Sequence, residues 1–337
     1  MKTRIAINGF GRIGRTAFKI AFRRSDVEIV AINDLSDAKT LAHLLKHDST
    51  YHNYGWYKTI EAEDRAITVD GVTIPIFSEK DPSSLPWKKL GVDVVIESTG
   101  FFTEYKKAKA HIKAGAGKVV ISAPAKGDGA KTYILGVNDN DLKIDDFVIS
   151  NGSCTTNCVA PVIKILEDSV GIKKSMMTTV HSYTNTQEIQ DAPNKSLREA
   201  RAAASNIIPT ATGSSQSVGA AMPETLGLFN GISIRVPNPV VSLIDVTALT
   251  KKRTTKEELN SIFEKASKEA RWQGIVAVSN EELVSSDYIG NSHSAIVDLG
   301  LTDVVGGDLV KIVAWYDNEW GYSNRLIEIC VDVNNLR

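Results

Sequence analysis

The chain has 337 residues, 42% hydrophobic and 23% charged, and its 39 basic side chains nearly balance 40 acidic ones for a formal charge of −1. Such a length accommodates two domains with separate cores, and the near-neutral balance removes any general attraction to nucleic acid or an anionic membrane. No apolar run is long enough to span a bilayer, no charged segment followed by an apolar core reads as a secretion signal, and cysteines are few, so a reducing cytoplasm is the expected compartment.

The first half alternates short Val/Ile-rich runs (4–7, 27–33, 92–98, 118–122, 133–137 and 147–150) with amphipathic stretches such as 12–24 and 106–114. Runs apolar on both faces suit strands buried between helix layers, so a doubly wound, mostly parallel sheet is predicted. Between the first strand and the first helix lies Asn8-Gly9-Phe10-Gly11-Arg12-Ile13-Gly14-Arg15. Here Gly9 permits a tight turn, Gly11 lets backbone approach a pyrophosphate, and Gly14 lets helix and strand pack closely, while the helix N-terminus attracts phosphate. The second strand ends in Asp34, twenty residues after Gly14, where a carboxylate accepts from an adenosine ribose and repels a 2′-phosphate, favouring NAD over NADP. Ser98-Thr99-Gly100 and Ser122-Ala123 follow later strands, where ligands of such sheets gather.

Ser153-Cys154-Thr155-Thr156-Asn157-Cys158 comes next, at the turn from the strand 147–150 into an apolar helix. A helix start favours an anion, so a thiolate, the nucleophilic form, is expected at Cys154. Cys158 lies one turn further on, facing the helix packing. With only three cysteines in the chain and no zinc-type spacing, no metal site is expected. The strand 176–180 delivers His181, which can meet Cys154 as a base. The other five histidines, His43, His47, His52, His111 and His293, sit in surface-like or helical contexts.

After the cysteine, Ser153, Thr155, Thr184, Thr186, Arg198, Arg201, Thr212, Gly213 and Arg235 supply the hydroxyls, backbone N–H groups and guanidinium forks that phosphate requires. The polar stretch 182–208 is long for a loop and is expected to serve a site or a subunit interface. Later runs (231–236, 241–250, 274–278, 295–299 and 309–315) fit a largely antiparallel sheet, covered by a helix that starts at the capping box Thr255-x-x-Glu258 and runs to about Ala270. A closing helix starts at Glu319 or Trp320. The predicted division is a dinucleotide-binding domain over 1–153, a catalytic α+β domain over 154–318, and a helix over 319–337 that returns to the first.

Taken together, the segments 7–15, 150–158, 179–184 (Thr-Val-His-Ser-Tyr-Thr), 207–213 (Ile-Ile-Pro-Thr-Ala-Thr-Gly), 235–237 and 315–323 resemble phosphorylating glyceraldehyde-3-phosphate dehydrogenase over essentially the whole chain. The resemblance implies a glycolytic and gluconeogenic enzyme that converts glyceraldehyde 3-phosphate, inorganic phosphate and NAD to 1,3-bisphosphoglycerate. It implies that Cys154 forms a hemithioacetal and then a thioester, with His181 as the base and the Cys154 N–H and His181 holding the oxyanion. The cofactor then contacts Gly9, Gly11, Arg12, Ile13, Asp34, Ser98 and Ser122, with Asn318 on the nicotinamide carboxamide and Tyr322 beside it. Thr184, Thr186, Arg198 and Arg235 hold the substrate phosphate; Ser153, Thr155, Thr212 and Gly213 hold the attacking one, with Arg198 near both. The resemblance also implies a homotetramer through the 182–208 loop, no nucleic-acid or membrane partner, and NAD use marked by Asp34-Leu35 and Pro193.

Two departures bear on the phosphates: Ser214-Ser215-Gln216 stands where a lysine-containing run is usual, and Glu199 lies between the loop arginines. Erythrose-4-phosphate dehydrogenase, which shares the cysteine and histidine, is the alternative enzyme, and a redox-sensing or RNA-binding nucleotide fold the non-enzymatic one.

Overall fold

A computed structural model describes residues 1–52 and 57–336. It divides into two compact units, one of 1–133, 140–152 and 323–337, the other of 134–139 and 153–322. Arg337, the end of the predicted closing helix, lies outside the described residues.

In the first unit nine strands form one sheet: β1 (Thr3–Asn8), β2 (Val27–Asn33), β3 (Ile60–Ala62), β4 (Ala66–Val69), β5 (Val72–Phe77), β6 (Val94–Glu97), β7 (Lys118–Ile121), β8 (Lys131–Thr132) and β9 (Val148–Ser150). Their order is β3-β4-β5-β2-β1-β6-β7-β9-β8. Only β3 with β4 and β4 with β5 pair antiparallel; the rest of the sheet is parallel. Helices α1 (Arg12–Ala21), α2 (Ala38–Lys46), α3 (Trp87–Leu90), α4 (Tyr105–Ala108) and α5 (Ala110–Lys113) connect the strands. A core of Ala6, Val30, Ala31, Val95, Val119, Ile121, Val148 and Trp87 holds this layer together. Because β1 has β2 on one side and β6 on the other, the turns after β1 and β6 meet at a reversal of strand order, where α/β sheets bind ligands.

The predicted strand over 133–137 is absent. Asn138 Oδ1 accepts from the Ile134 N–H, the Val137 N–H bonds back to the Ile134 carbonyl, and the chain turns at Gly136, whose φ is +76°. The predicted helix over 106–114 is split into α4 and α5 at Lys109, and α1 stops at Ala21, three residues short of Arg24.

The second unit contains α6 (Cys154–Ser169), β10 (Ile172–Ser182), β11 (Ile208–Ala211), α7 (Ser214–Ala221), β12 (Phe229–Val236), β13 (Ser242–Thr250), α8 (Lys256–Ala266), β14 (Val276–Ser279), β15 (Ala295–Asp298), β16 (Asp303–Val305) and β17 (Leu309–Tyr316). The sheet runs β11-β12-β10-β13-β17-β15-β14, with β16 beside β17. It is largely antiparallel, except that β10 pairs parallel with β12 and β14 with β15. α6 buries Cys158, Val159, Val162, Ile163 and Leu166 among the apolar residues of the sheet. Thr255 and Glu258 form the predicted capping box, although α8 ends at Ala266. α9 (Trp320–Asn335) begins in the second unit and continues in the first.

Candidate active site

Ser153 caps α6: its Oγ accepts from the Thr156 N–H at 3.1 Å, and the Asn157 side-chain amide donates to the Ser153 carbonyl at 3.0 Å. This cap fixes the first turn and sets Cys154 at the positive end of the helix. The register of β10 delivers His181 at its end, and Sγ of Cys154 lies 3.5 Å from His181 Nε2. The pair therefore meets, 27 residues apart in sequence. Cys158 is fully buried, and burial pushes its thiol well above the usual range.

Burial works against the thiolate expected at Cys154, and the charge beside it works for it. Burial raises the Cys154 thiol above its ordinary value, and the nearby Arg235 charge only partly offsets this. Burial, reinforced by Arg235, holds His181 neutral, with a pKa of about 3. The helix start and Arg235 favour a thiolate that burial opposes, and the His181 ring, 3.5 Å away, is placed to exchange the proton.

Behind the pair runs a hydroxyl chain that the sequence did not disclose. Thr179 Oγ1 donates to the Leu243 carbonyl at 3.0 Å; Tyr316 Oη lies 2.9 Å from Thr179 Oγ1 and 2.9 Å from Thr155 Oγ1. Each hydroxyl has one proton, so Tyr316 must donate to Thr179, and Thr155 to Tyr316. The Tyr316 ring meets His181 edge-on, 6.0 Å between centroids. Thr155 is thus buried with its proton committed, and it holds the residue after the cysteine in place.

Asn318 is buried, and its Oδ1 accepts from Ser182 Oγ at 3.0 Å and Ser242 Oγ at 3.2 Å. That fixes the amide orientation and leaves the Nδ2 donors for a further acceptor, such as a carboxamide oxygen. Tyr322 is buried in the first turn of α9.

Of the anion-binding residues, Thr184 and Thr186 place their hydroxyls 3.0 Å apart, and Thr212 Oγ1 lies 2.8 Å from Ser214 Oγ beside Gly213, which caps α7. Arg198 is exposed. Arg235 faces His181, directly opposite it in the β10/β12 register, with Nη1 2.6 Å from His181 Nδ1. Glu199 does not stand free among the arginines: its carboxylate accepts from Gln187 at 2.8 Å and Thr210 at 3.1 Å. Gln187 Oε1 in turn accepts from the Thr184 N–H at 2.9 Å, so Glu199 anchors the turn that presents Thr184.

In the first unit, Gly9 has φ +93°, and a Cβ there would lie 2.8 Å from the Thr99 nitrogen. At Gly14 a Cβ would fall 2.1 Å from the Gly9 carbonyl oxygen, whereas at Gly11 it would meet nothing within 4 Å. The glycines thus bring helix and strand together and leave open space over the start of α1, a cradle that fits a pyrophosphate. Asp34 accepts from the Phe10 N–H at 2.7 Å and the Ser36 N–H at 2.9 Å, which fixes its carboxylate beside that turn. Ser98 Oγ donates to the Gly9 carbonyl at 2.7 Å. Ser122 is half-buried and bonds through its N–H to the Glu97 carbonyl. Arg12 Nη1 pairs with Asp48 at 2.9 Å, and Ile13, in the first turn of α1, is half-buried.

Sequence reasoning missed a buried network beneath this turn. Glu97 Oε2 accepts from Asn8 Nδ2 at 2.5 Å and lies 3.1 Å from His111 Nε2; Oε1 accepts the Thr99 N–H at 2.9 Å. Trp87 Nε1 donates to His111 Nδ1 at 3.0 Å. His111 is fully buried, so its helical context concealed a core position. The network ties Asn8 and Thr99, on either side of the glycine turn, to one carboxylate.

Among the described residues no group of three or more His, Cys, Asp or Glu side chains could hold a metal ion, and no helix is long and apolar enough to cross a membrane. Residues 3–105 match the family described as glyceraldehyde 3-phosphate dehydrogenase, NAD binding domain, and residues 153–318 match glyceraldehyde 3-phosphate dehydrogenase, C-terminal domain. The glyceraldehyde-3-phosphate dehydrogenase of Borreliella burgdorferi is 54% identical over 332 residues, 97% of this chain and 98% of that protein. That of Thermotoga maritima is 51% identical over 327 residues, 96% and 97% of the two chains, and that of Geobacillus stearothermophilus 49% over 331 residues, 98% and 97%.

Proposed function

The chain belongs to the glyceraldehyde-3-phosphate dehydrogenase family, and from that premise we propose which residues carry out the NAD-dependent oxidative phosphorylation of glyceraldehyde 3-phosphate. The carrying observation is Cys154 Sγ, at the start of α6, 3.5 Å from His181 Nε2.

Cys154 attacks the aldehyde carbon while His181 takes the thiol proton; the oxyanion, held by the Cys154 N–H, then takes that proton from the ring, which is restored as a base. The resulting hemithioacetal loses its hydroxyl proton to His181 as it is oxidised. Bound NAD supplies the acceptor for the hydride. Inorganic phosphate then attacks the thioester carbon, the carbon–sulfur bond breaks, and the thiolate recovers its proton from His181. The acyl group is held on sulfur until phosphate, rather than water, releases it.

For the cofactor, the cradle at Gly9, Gly11, Arg12 and Ile13 receives the pyrophosphate, Asp34 the ribose hydroxyls, Ser98 and Ser122 line the strand ends, and Asn318 and Tyr322 serve the nicotinamide. Thr184, Thr186, Arg198 and Arg235 bind the substrate phosphate. Ser153, Thr212, Gly213 and the first turn of α6 bind the attacking phosphate, with Thr155 acting through position because its hydroxyl is committed to Tyr316.

The protein works as a cytoplasmic homotetramer with no nucleic-acid or membrane partner. Support for assembly comes from apolar side chains left in solvent in the second unit: Met176 and Ile232 on adjacent strands, and Ile189, Leu197 and Ile207 in the long loop. The test is phosphate-dependent NADH formation from glyceraldehyde 3-phosphate, run with wild type and Cys154→Ser. We expect the variant to keep NAD binding and lose turnover by at least ~10⁴-fold; turnover near wild type rejects the nucleophile.

A further inference from the structure

Gln187 is 3% exposed, and its amide makes every bond it can make. Nε2 donates to Glu199 Oε1 and to Thr186 Oγ1, both at 2.8 Å. Oε1 accepts from the Thr184 N–H at 2.9 Å and from the Thr184 hydroxyl at 3.2 Å. An amide exchanges its oxygen and nitrogen by a half-turn, but here both ends forbid it: an ionised carboxylate only accepts, and a backbone N–H only donates. Glu199 and the Thr184 N–H therefore select one orientation. The Glu188 N–H bonds to the Glu199 carbonyl at 3.0 Å, and Thr210 Oγ1 donates to the same carboxylate oxygen at 3.1 Å, so Glu199 is itself held in place.

That orientation decides what the neighbouring hydroxyls can do. Thr186 Oγ1 receives a proton from the amide, so its own single proton must go elsewhere. Its neighbour at 3.0 Å is Thr184 Oγ1, whose proton goes to Gln187 Oε1. The bonds close a circuit from the amide nitrogen through Thr186 and Thr184 back to the amide oxygen, and each polarises the next. Thr186 is exposed, so a phosphate oxygen can replace Thr184 as the acceptor of its proton and leave the amide undisturbed. By its charge alone Glu199 suits such a place badly. Burial disfavours the Arg235 charge and Glu199 is among the groups that favour it, so the carboxylate lies within electrostatic reach of the phosphate residues, where a negative charge repels an anion.

We propose that Glu199 and Gln187 are positioning residues for the substrate phosphate: the carboxylate sets the amide, and the amide makes the Thr186 hydroxyl a donor aimed at a phosphate monoester. The inference rests on the reading above that Thr184 and Thr186 hold that phosphate. Glu199 then aids binding through its bonds to Gln187 and Thr210, and this outweighs the repulsion of its charge.

The test is steady-state kinetics at saturating NAD and inorganic phosphate, with glyceraldehyde 3-phosphate and unphosphorylated glyceraldehyde as paired substrates. Glu199→Gln removes the charge but keeps an acceptor for the amide; Glu199→Ala removes both. We expect Glu199→Ala to raise KM for the phosphorylated aldehyde ~5- to 10-fold with kcat within ~2-fold, and to leave kcat/KM for glyceraldehyde unchanged. Glu199→Gln is expected within ~2-fold of wild type on both substrates. Equal losses on the two aldehydes mean general damage and overturn the proposal, and a KM that falls in both variants overturns it by making Glu199 a repelling charge. Should Glu199→Ala fail to fold, Glu199→Asp, which keeps the charge and withdraws the oxygen by one methylene, is expected to raise the same KM ~3-fold or more; an unchanged KM overturns the proposal. Thr186→Val separates the two layers. An unchanged KM in Thr186→Val removes Thr186 from the phosphate site and the proposal with it, whereas a raised KM there beside unmoved Glu199 variants overturns the positioning alone. With both in force, the double variant Thr186→Val/Glu199→Ala raises KM by less than the product of the single effects.

Discussion

Each unit buries one histidine, and the two are opposites. In the first, His111 has both ring nitrogens committed, Nδ1 to the Trp87 indole and Nε2 to the Glu97 carboxylate. In the second, His181 points one nitrogen at a thiol and leaves the other contested between a carbonyl and a guanidinium. A ring whose donor and acceptor are both matched has one form and serves architecture. A ring with unresolved partners has two forms close in energy, and that is what a group that gains and loses protons requires.

The contrast breaks most decisively at the reactive ring. His181→Asn keeps a polar side chain at the end of β10 but removes the base, and kcat is expected to fall by ~10²–10⁴-fold in steady-state assays with glyceraldehyde 3-phosphate. A variant within a few-fold of wild type would mean that proton transfer does not run through this ring. His111→Ala should do the reverse. Leaving the Glu97 carboxylate without its histidine in a dry core is expected to lower unfolding stability by ~3–5 kcal/mol in urea titrations, while kcat of the folded fraction stays within about twofold. A large fall in kcat at unchanged stability would place His111 in the chemistry.

Acid sharpens the comparison further. His181 titrates near 3 in the fold against an ordinary 6.5, so as pH falls through 6.5 the unfolded chain takes up a proton that the fold refuses. The stability this group contributes is complete above about 6.5 and is lost on the way down to about 3, at up to ~1.4 kcal/mol per pH unit. Urea midpoints of wild type should therefore fall faster with acid over that window than those of His181→Asn. Parallel slopes would show that the ring is not held neutral.

Much of this was legible from local pattern. Val/Ile runs alternating with amphipathic stretches marked the parallel sheet, the spacing of Gly9, Gly11 and Gly14 marked the dinucleotide turn, and a thiol at a helix start marked Cys154. What escaped was long-range. Asn8 meets His111 from 103 residues away, and Thr155 meets Tyr316 from 161; no local periodicity encodes either contact. The burial that opposes a thiolate at Cys154 stayed hidden for a related reason. The helix-start argument counts backbone dipoles near in sequence, whereas the Cys154 thiol is desolvated and faces His181, which β10 brings from 27 residues away. The strand expected over 133–137 failed because Gly136 and Asn138 make a turn that outweighs the apolar run.

Gly14 carries a consequence for inheritance. Any Cβ there lands 2.1 Å from the Gly9 carbonyl oxygen, and every amino acid that a one-base change in a glycine codon can introduce brings a Cβ. Every amino-acid replacement there therefore meets the same backbone oxygen, however small the new side chain, so the position offers a lineage no graded series of substitutions.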